Sequence, residues 1–216
     1  MRSRIAIALT LALASCSGPS EEKKAPRKAA VPEKPPGVYK VRFDTTKGPF
    51  VVEVTRAMAP HGADHFFELV QARFYNGVRF HRVMRGFVCQ FGINGDPKVN
   101  QVWALGAIPD DPVKQKNKKG TITYAKLGPN SRATQVFLNL RDNPELDTTG
   151  FAPFGKVVEG WDVVEKLAFL YGEVKPRGSG PDPMKIEAQG NAYLDREYPR
   201  LDAIKAASIL GETPAP

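Results

Sequence analysis

The sequence predicts a mainly β domain: a closed eight-stranded antiparallel barrel capped by two helices, with a C-terminal helical extension. Three observations carry this. Short runs with two-residue alternation recur from Val38 onward. Turn-forming residues separate them. Two stretches with helical spacing interrupt them. Closing the sheet would remove its exposed edges, although composition and periodicity by themselves leave a two-sheet sandwich open.

Taken in order, Tyr39, Val41 and Phe43 alternate with Lys40, Arg42 and Asp44, which reads as a half-buried strand. Thr46-Lys47-Gly48-Pro49 turns the chain, and Phe50, Val52 and Val54 give the answering strand. The period then changes. Ala63, Phe66, Phe67, Val70 and Phe74 follow helical spacing, with Pro60 suited to the first turn. Further strands are expected near residues 78–83, 88–91, 121–124, 134–140, 154–158 and 184–188. Val163, Val164, Leu167 and Leu170 mark a second helix, with Asp162 near its start. Residues 94–119, which include Trp103, are expected to form loops. Pro199, Leu201, Ile204 and Ile209 predict a helix within residues 190–216, packed on the outside of the barrel.

Residues 1–15 read as a lipoprotein signal peptide. Arg2 and Arg4 precede the apolar run from Ile5 to Ala14, which is too short to span a bilayer. The run ends in Leu13-Ala14-Ser15-Cys16, which resembles a bacterial lipobox, so Cys16 is the expected lipidation site and mature N-terminus. Ser17 rather than Asp follows it, the pattern sent on to the outer membrane in Gram-negative cells. The expected location is therefore the cell envelope, lipid-anchored and facing the periplasm. Residues 16–37 hold Pro19, Pro26, Pro32, Pro35 and Pro36 with almost no large apolar groups. Such a segment lacks the apolar surface to fold, and reads as a tether reaching on the order of 65 Å if extended.

The remainder, residues 38–189, is one domain's worth of chain. The net charge of +8 is concentrated in the leader and tether, since the residues beyond Gly37 carry 24 basic and 20 acidic side chains. No basic stripe interleaved with aromatics is present, so nucleic acid is not an expected partner. The only cysteines are Cys16 and Cys89. Cys89, between Val88 and Gln90, reads as a small buried hydrophobe rather than a nucleophile.

The most informative stretch is residues 74–93, FYNGVRFHRVMRGFVCQFGI. Alternation through Val78, Phe80 and Arg82 would place a guanidinium on the same strand face as inward apolar residues. That is costly unless the charge is paired or aimed at a ligand. The string resembles the cyclophilin family of peptidyl-prolyl cis-trans isomerases, whose motif reads Phe-His-Arg followed by Gly-Phe-Met-Cys-Gln. Two further stretches extend the resemblance over roughly residues 38–189. Residues 124–137 are similar to the family's Met-Ala-Asn-Ala-Gly-Pro-Asn and Ser-Gln-Phe-Phe segments. Glu145-Leu146-Asp147 with Phe154-Gly155-Lys156-Val157 is similar to its Trp-Leu-Asp and Val-Phe-Gly-Lys-Val segments. Three ordered motifs are far more specific than one short pattern.

The resemblance selects the barrel over the sandwich and implies isomerisation of X-Pro bonds in proline-containing polypeptides of the cell envelope. It implies Arg82 as the catalytic group. It makes Phe87, Val88, Phe137 and Leu146 the proline pocket, Gln90, Ala125 and Gln135 the backbone contacts, and Phe151 the pocket edge. No bond breaks in this reaction, so no cofactor or metal is expected, and a monomer suffices. Departures are Lys126 where the family usually has Asn, and Glu145 where eukaryotic members carry Trp. Phe151 stands near the usual His after one inserted residue.

Two other classes compete with this reading. Loss of Arg82, Phe87, Gln90 or Phe137 would favour a binding module or chaperone of the same fold with little catalysis; all four are intact, which argues against it. A zinc enzyme would use His61 and His65, spaced i, i+4, with His81; but Gly62 stands where His-Glu-x-x-His needs its glutamate.

Overall fold

The structure, a computed structural model, describes residues 35–210. The leader, Cys16 and nearly all of the tether lie outside the described residues. Among the described residues no helix is long and apolar enough to cross a membrane.

Eight antiparallel strands form one sheet: β1 (Val38–Thr45), β2 (Gly48–Thr55), β3 (Arg82–Val83), β4 (Val88–Phe91), β5 (Thr121–Tyr124), β6 (Val136–Asn139), β7 (Pro153–Glu159) and β8 (Ile204–Ile209). Their spatial order is β3-β4-β6-β5-β7-β2-β1-β8. The expected mainly β fold of eight strands is present, but the sheet is a curled half-barrel, not a closed one. The ladder ends at β3 on one side and β8 on the other, because β3 is only two residues long. The chain just before it meets the far edge through isolated backbone bonds, Gly77 N–H to Ile204 O (2.8 Å) and Phe80 N–H to Asp202 O (3.0 Å).

Among the described residues six short helices, not two, accompany the sheet: α1 (Pro60–Gln71), α2 (Pro97–Ala104), α3 (Pro144–Asp147), α4 (Trp161–Glu165), α5 (Pro183–Gln189) and α6 (Asn191–Glu197). Proline in the first turn recurs in α1, α2, α3 and α5, where its missing N–H would be unpaired anyway. In α2 and α5 the preceding Asp96 and Asp182 cap the first turn, accepting from Lys98 N–H and Met184 N–H. Residues 94–119, expected as loops, therefore contain α2. Residues 184–188, expected as a strand, are α5. The second expected helix stops at Glu165, short of the half-exposed Leu170.

The C-terminal helical extension is also corrected. After α6 the chain enters β8, which pairs with β1 and is part of the sheet. Its buried residues are Ile204, Ala207 and Ile209, and the first two have the three-residue spacing of a helix. A bulge produces that spacing: Asp44 faces Ala206 and Thr45 faces Ile204, so Lys205 is the extra residue.

Aromatic side chains fill the concave side of the sheet. Phe43 stacks on Phe50 at 5.0 Å, Phe66 meets Phe154 at 5.0 Å, and Phe80 meets Phe91 edge-on at 5.2 Å. Cys89 lies in this core, where burial pushes its thiol up. A second, smaller cluster joins Ile93, Ile186, Tyr193, Leu194, Tyr198 and Leu201. It fastens the 171–201 segment to the sheet: Asn191 N–H donates to Gly95 O at 2.9 Å, and Gly190 passes so close to that carbonyl that no Cβ would fit.

Candidate active site

The site lies on the convex face of β3, β4 and β6, opposite the core. Alternation sends Cys89 and Phe91 of β4, and Val136 and Leu138 of β6, into the core. Val88, Gln90 and Phe137 point the other way. Arg82 joins them: the register pairs Arg82 with Gln90, and Gln90 with Phe137. The sequence expectation that Arg82 shares a face with Val78 and Phe80 is corrected here. Both of those are core residues, and the irregular backbone ahead of β3 breaks the alternation before Arg82.

Across this face runs a chain of side-chain hydrogen bonds. Arg82 Nη1 donates to Gln90 Oε1 (3.2 Å), and Gln90 Nε2 donates to Gln135 Oε1 (2.9 Å). The Arg82 guanidinium lies 5.6 Å from the Phe87 ring centroid. Phe87 sits at the end of the tight β3–β4 turn, where Gly86 takes a left-handed φ of 71°. Its carbonyl accepts from Leu140 N–H (2.9 Å) and Asn143 Nδ2 (3.1 Å). Val88 and Phe137 are buried; Phe87, Gln90, Ala125, Gln135, Leu146 and Phe151 are half-buried. That gradation describes an apolar floor with a polar side.

Connections supply the opposite side. Phe151 meets Phe137 edge-on at 5.8 Å, and its N–H donates to Leu146 O (3.2 Å), tying α3 to the floor. Ala125 N–H donates to Gln135 O (2.9 Å). A buried asparagine network holds these pieces. Asn117 donates through N–H and Nδ2 to Asp147 Oδ1 (2.7 and 2.9 Å) and through Nδ2 to Phe151 O (2.9 Å). Asn139 Nδ2 donates to Asn117 Oδ1, and Asn143 Nδ2 to Asn139 Oδ1 (2.7 Å). Every side-chain amide nitrogen of this network has a partner, while the buried Asn143 Oδ1 has none among the described residues.

The departures have physical roles. Lys126 faces Asp110 (3.3 Å) with its ammonium 5.6 Å from the Phe151 ring centroid. Glu145 is exposed and pairs with Arg141 at 2.6 Å. His81, next to Arg82, is fully buried; burial, then the Arg82 charge, push its imidazole down to about 4. His65, another of the three candidate zinc ligands, packs between Trp103 and Tyr124.

The partner of Arg82 was not foreseen. Glu173, from the loop after α4, accepts Arg82 Nε at 2.6 Å and Nη2 at 2.7 Å, a bidentate pair. Nothing in the sequence signals it. Glu173 is far along the chain from Arg82 and lies in a stretch without alternation or motif.

Comparison with known proteins settles the family. A family model described as "Cyclophilin type peptidyl-prolyl cis-trans isomerase/CLD" matches residues 40–188. The chain belongs to the cyclophilin family. This cyclophilin is 32% identical over 186 residues to peptidyl-prolyl cis-trans isomerase B of Escherichia coli, covering 80% of this chain and 99% of that one. It is 34% identical over 139 residues to an Acinetobacter baylyi peptidyl-prolyl cis-trans isomerase, covering 59% and 71%. Its fold is similar to a cyclophilin-type isomerase from Cryptosporidium parvum, with TM-score 0.58 and 20% identity over 82% of this chain and 99% of that one. It is also similar to AquaCyp293 of Hirschia baltica, with TM-score 0.59 and 19% identity over 82% and 76%. The cyclophilin is thus a peptidyl-prolyl cis-trans isomerase.

Proposed function

We propose that Arg82 is the catalytic group of this cyclophilin, and that the enzyme isomerises X-Pro bonds of polypeptides in the bacterial cell envelope, held there by a lipid on Cys16. The observation that carries the chemistry is the state of the guanidinium. Of its five N–H donors, Glu173 takes two and Gln90 one. One N–H on each terminal nitrogen has no protein partner among the described residues, beside Phe87 and above an apolar floor.

That residue set suits the reaction. Rotation about the prolyl C–N bond faces a barrier of ~18–20 kcal/mol because resonance makes it partly double. A rate near 10³ per second corresponds to roughly 13 kcal/mol, so the site must contribute about 6. In the twisted state the proline nitrogen regains its lone pair and accepts a hydrogen bond. Fixed donors in a half-buried place favour that state over either planar one, which is differential binding. Phe87, Val88, Phe137 and Leu146 would receive the proline ring, with Phe151 at its edge. Gln90, Gln135 and the Ala125 backbone would hold the chain beside it. Lys126, drawn toward Asp110, leaves that backbone contact open.

Arg82→Ala should lower kcat/KM on a short X-Pro peptide roughly 10²–10³-fold, about 3–4 kcal/mol. A folded variant with near-parental activity would overturn the assignment. A parent that binds such peptides without isomerising them would favour the binding-module reading instead. The location rests on the Leu13-Ala14-Ser15-Cys16 sequence and the short apolar run before it. Cys16→Ala should leave an uncleaved precursor or free the protein from the membrane fraction; an unlipidated native N-terminus elsewhere in the chain, seen by mass spectrometry, would refute the anchor.

A further inference from the structure

We propose that Glu173 is a positioning residue for catalysis, fixing the plane of the Arg82 guanidinium so that its two remaining N–H groups point at the substrate. The inference rests on the reading of Arg82 as the catalytic group. The carboxylate takes the side edge of the fork, Nε and Nη2, at 2.6 and 2.7 Å. Gln90 takes Nη1 at 3.2 Å. With both flanks held, what is left over is one N–H on each terminal nitrogen. A carboxylate placed to block the site would occupy that end instead.

The loop carrying Glu173 is built to hold it still. Val174 N–H donates to Glu173 Oε1 (2.9 Å), fixing the carboxylate from its own backbone. Gly180 N–H donates to Glu173 O (2.8 Å), and Gly178 N–H to Val174 O (3.0 Å). Both glycines are required by contact: a Cβ on Gly178 or Gly180 would lie 2.3 or 2.7 Å from Glu173 O. Tyr198 OH donates to Gly180 O (3.1 Å), and its ring meets Tyr171 edge-on at 5.0 Å. The loop thus stands on the second apolar cluster. The Arg82 hydrogen bonds hold the Glu173 carboxyl below its usual value. Preorganisation of this kind acts on the rate more than on binding, because a donor displaced by about 1 Å loses on the order of 10²-fold.

The test measures kcat and KM by NMR exchange on an X-Pro peptide, for the parent, Glu173→Gln, Glu173→Asp and Arg82→Ala. Melting temperatures establish folding. Glu173→Gln, which keeps shape but only one acceptor, should lower kcat ten- to hundredfold with KM within about threefold. Glu173→Asp keeps the charge but not the reach, and should also fall. The Arg82 Nε–H resonance should be protected from exchange in the parent and lost in both variants. Unchanged or faster turnover in folded Glu173→Gln would overturn the proposal, the faster result marking the carboxylate as a competitor of substrate. If Arg82→Ala keeps its activity, the reading of the site itself fails, which is a separate outcome.

Discussion

On one wall of the groove, Arg82, Gln90 and Phe137 stand on β3, β4 and β6, and ladder register sets their spacing. On the other, Leu146 stands on the single-turn α3 and Lys126 and Phe151 on loops, with no ladder beneath them. Their places are set by buried polar side chains: the Asn117–Asn139–Asn143 network with Asp147, and an ion cluster behind Lys126. The strand wall draws its order from backbone bonds that any sequence with the right alternation would make. The connection wall depends on individual side chains, each with a particular partner. Point substitutions should therefore cost little stability on the first wall and much behind the second.

The largest effect is expected at Asp111. Its carboxylate caps α1, accepting His61 N–H (3.0 Å) and Gly62 N–H (2.9 Å), and it pairs with the buried Arg132 at 3.0 Å. Asp111→Ala leaves a guanidinium only 2% exposed with Asp110 and the Pro109 carbonyl. Breaking a buried pair from one side costs about 3–5 kcal/mol. Urea unfolding showing a loss below about 1 kcal/mol would break the comparison.

Next comes the pH dependence set by His81, on the strand side. Its folded pKa of about 4 lies below the unfolded value near 6.5, so the unfolded chain binds the extra proton between those two values. Stability should be full above about pH 6.5 and fall by on the order of 3 kcal/mol as pH drops toward 4. Burial lowers His65 in the same direction. His81→Gln should flatten much of this slope when unfolding free energies at pH 7.5 and 5 are compared; an unchanged slope would place the titrating group elsewhere.

The smallest effect sharpens the contrast. Arg82 is 14% and Glu173 20% exposed, so the stability lost in Arg82→Ala should stay near 1–2 kcal/mol although its activity collapses. A loss as large as that at Asp111 would mean that the two walls do not differ in kind.

The same contrast explains what was legible in the sequence. The strands β4 and β6 of the first wall follow from alternation, while the residues assigned to the site there follow only from the resemblance of the Phe80-His81-Arg82 and neighbouring motifs. The first two strands and α1 were equally plain. Where the chain departed from a simple period, reading failed: the bulge at Lys205 imitates helical spacing, and the break ahead of β3 turns Arg82 to the opposite face. Pro183 behind a capping Asp182 makes a helix of residues expected as a strand. Glu173 was invisible for another reason. A pair between distant positions leaves no local pattern, and only the folded chain brings its two halves together.

The pairing of β8 with β1 joins the last strand of the sheet to its first. As the polypeptide emerges N-terminus first, at ~5–20 residues per second, β1 can pair at once with β2 but must wait for residues 204–209 before its outer edge is covered. Throughout that interval the nascent protein presents an open row of backbone donors and acceptors, the template on which chains join one another. Truncation ahead of Ile204 would make that interval permanent. Protection of the β1 edge against aggregation thus waits on the last strand of the sheet to be made.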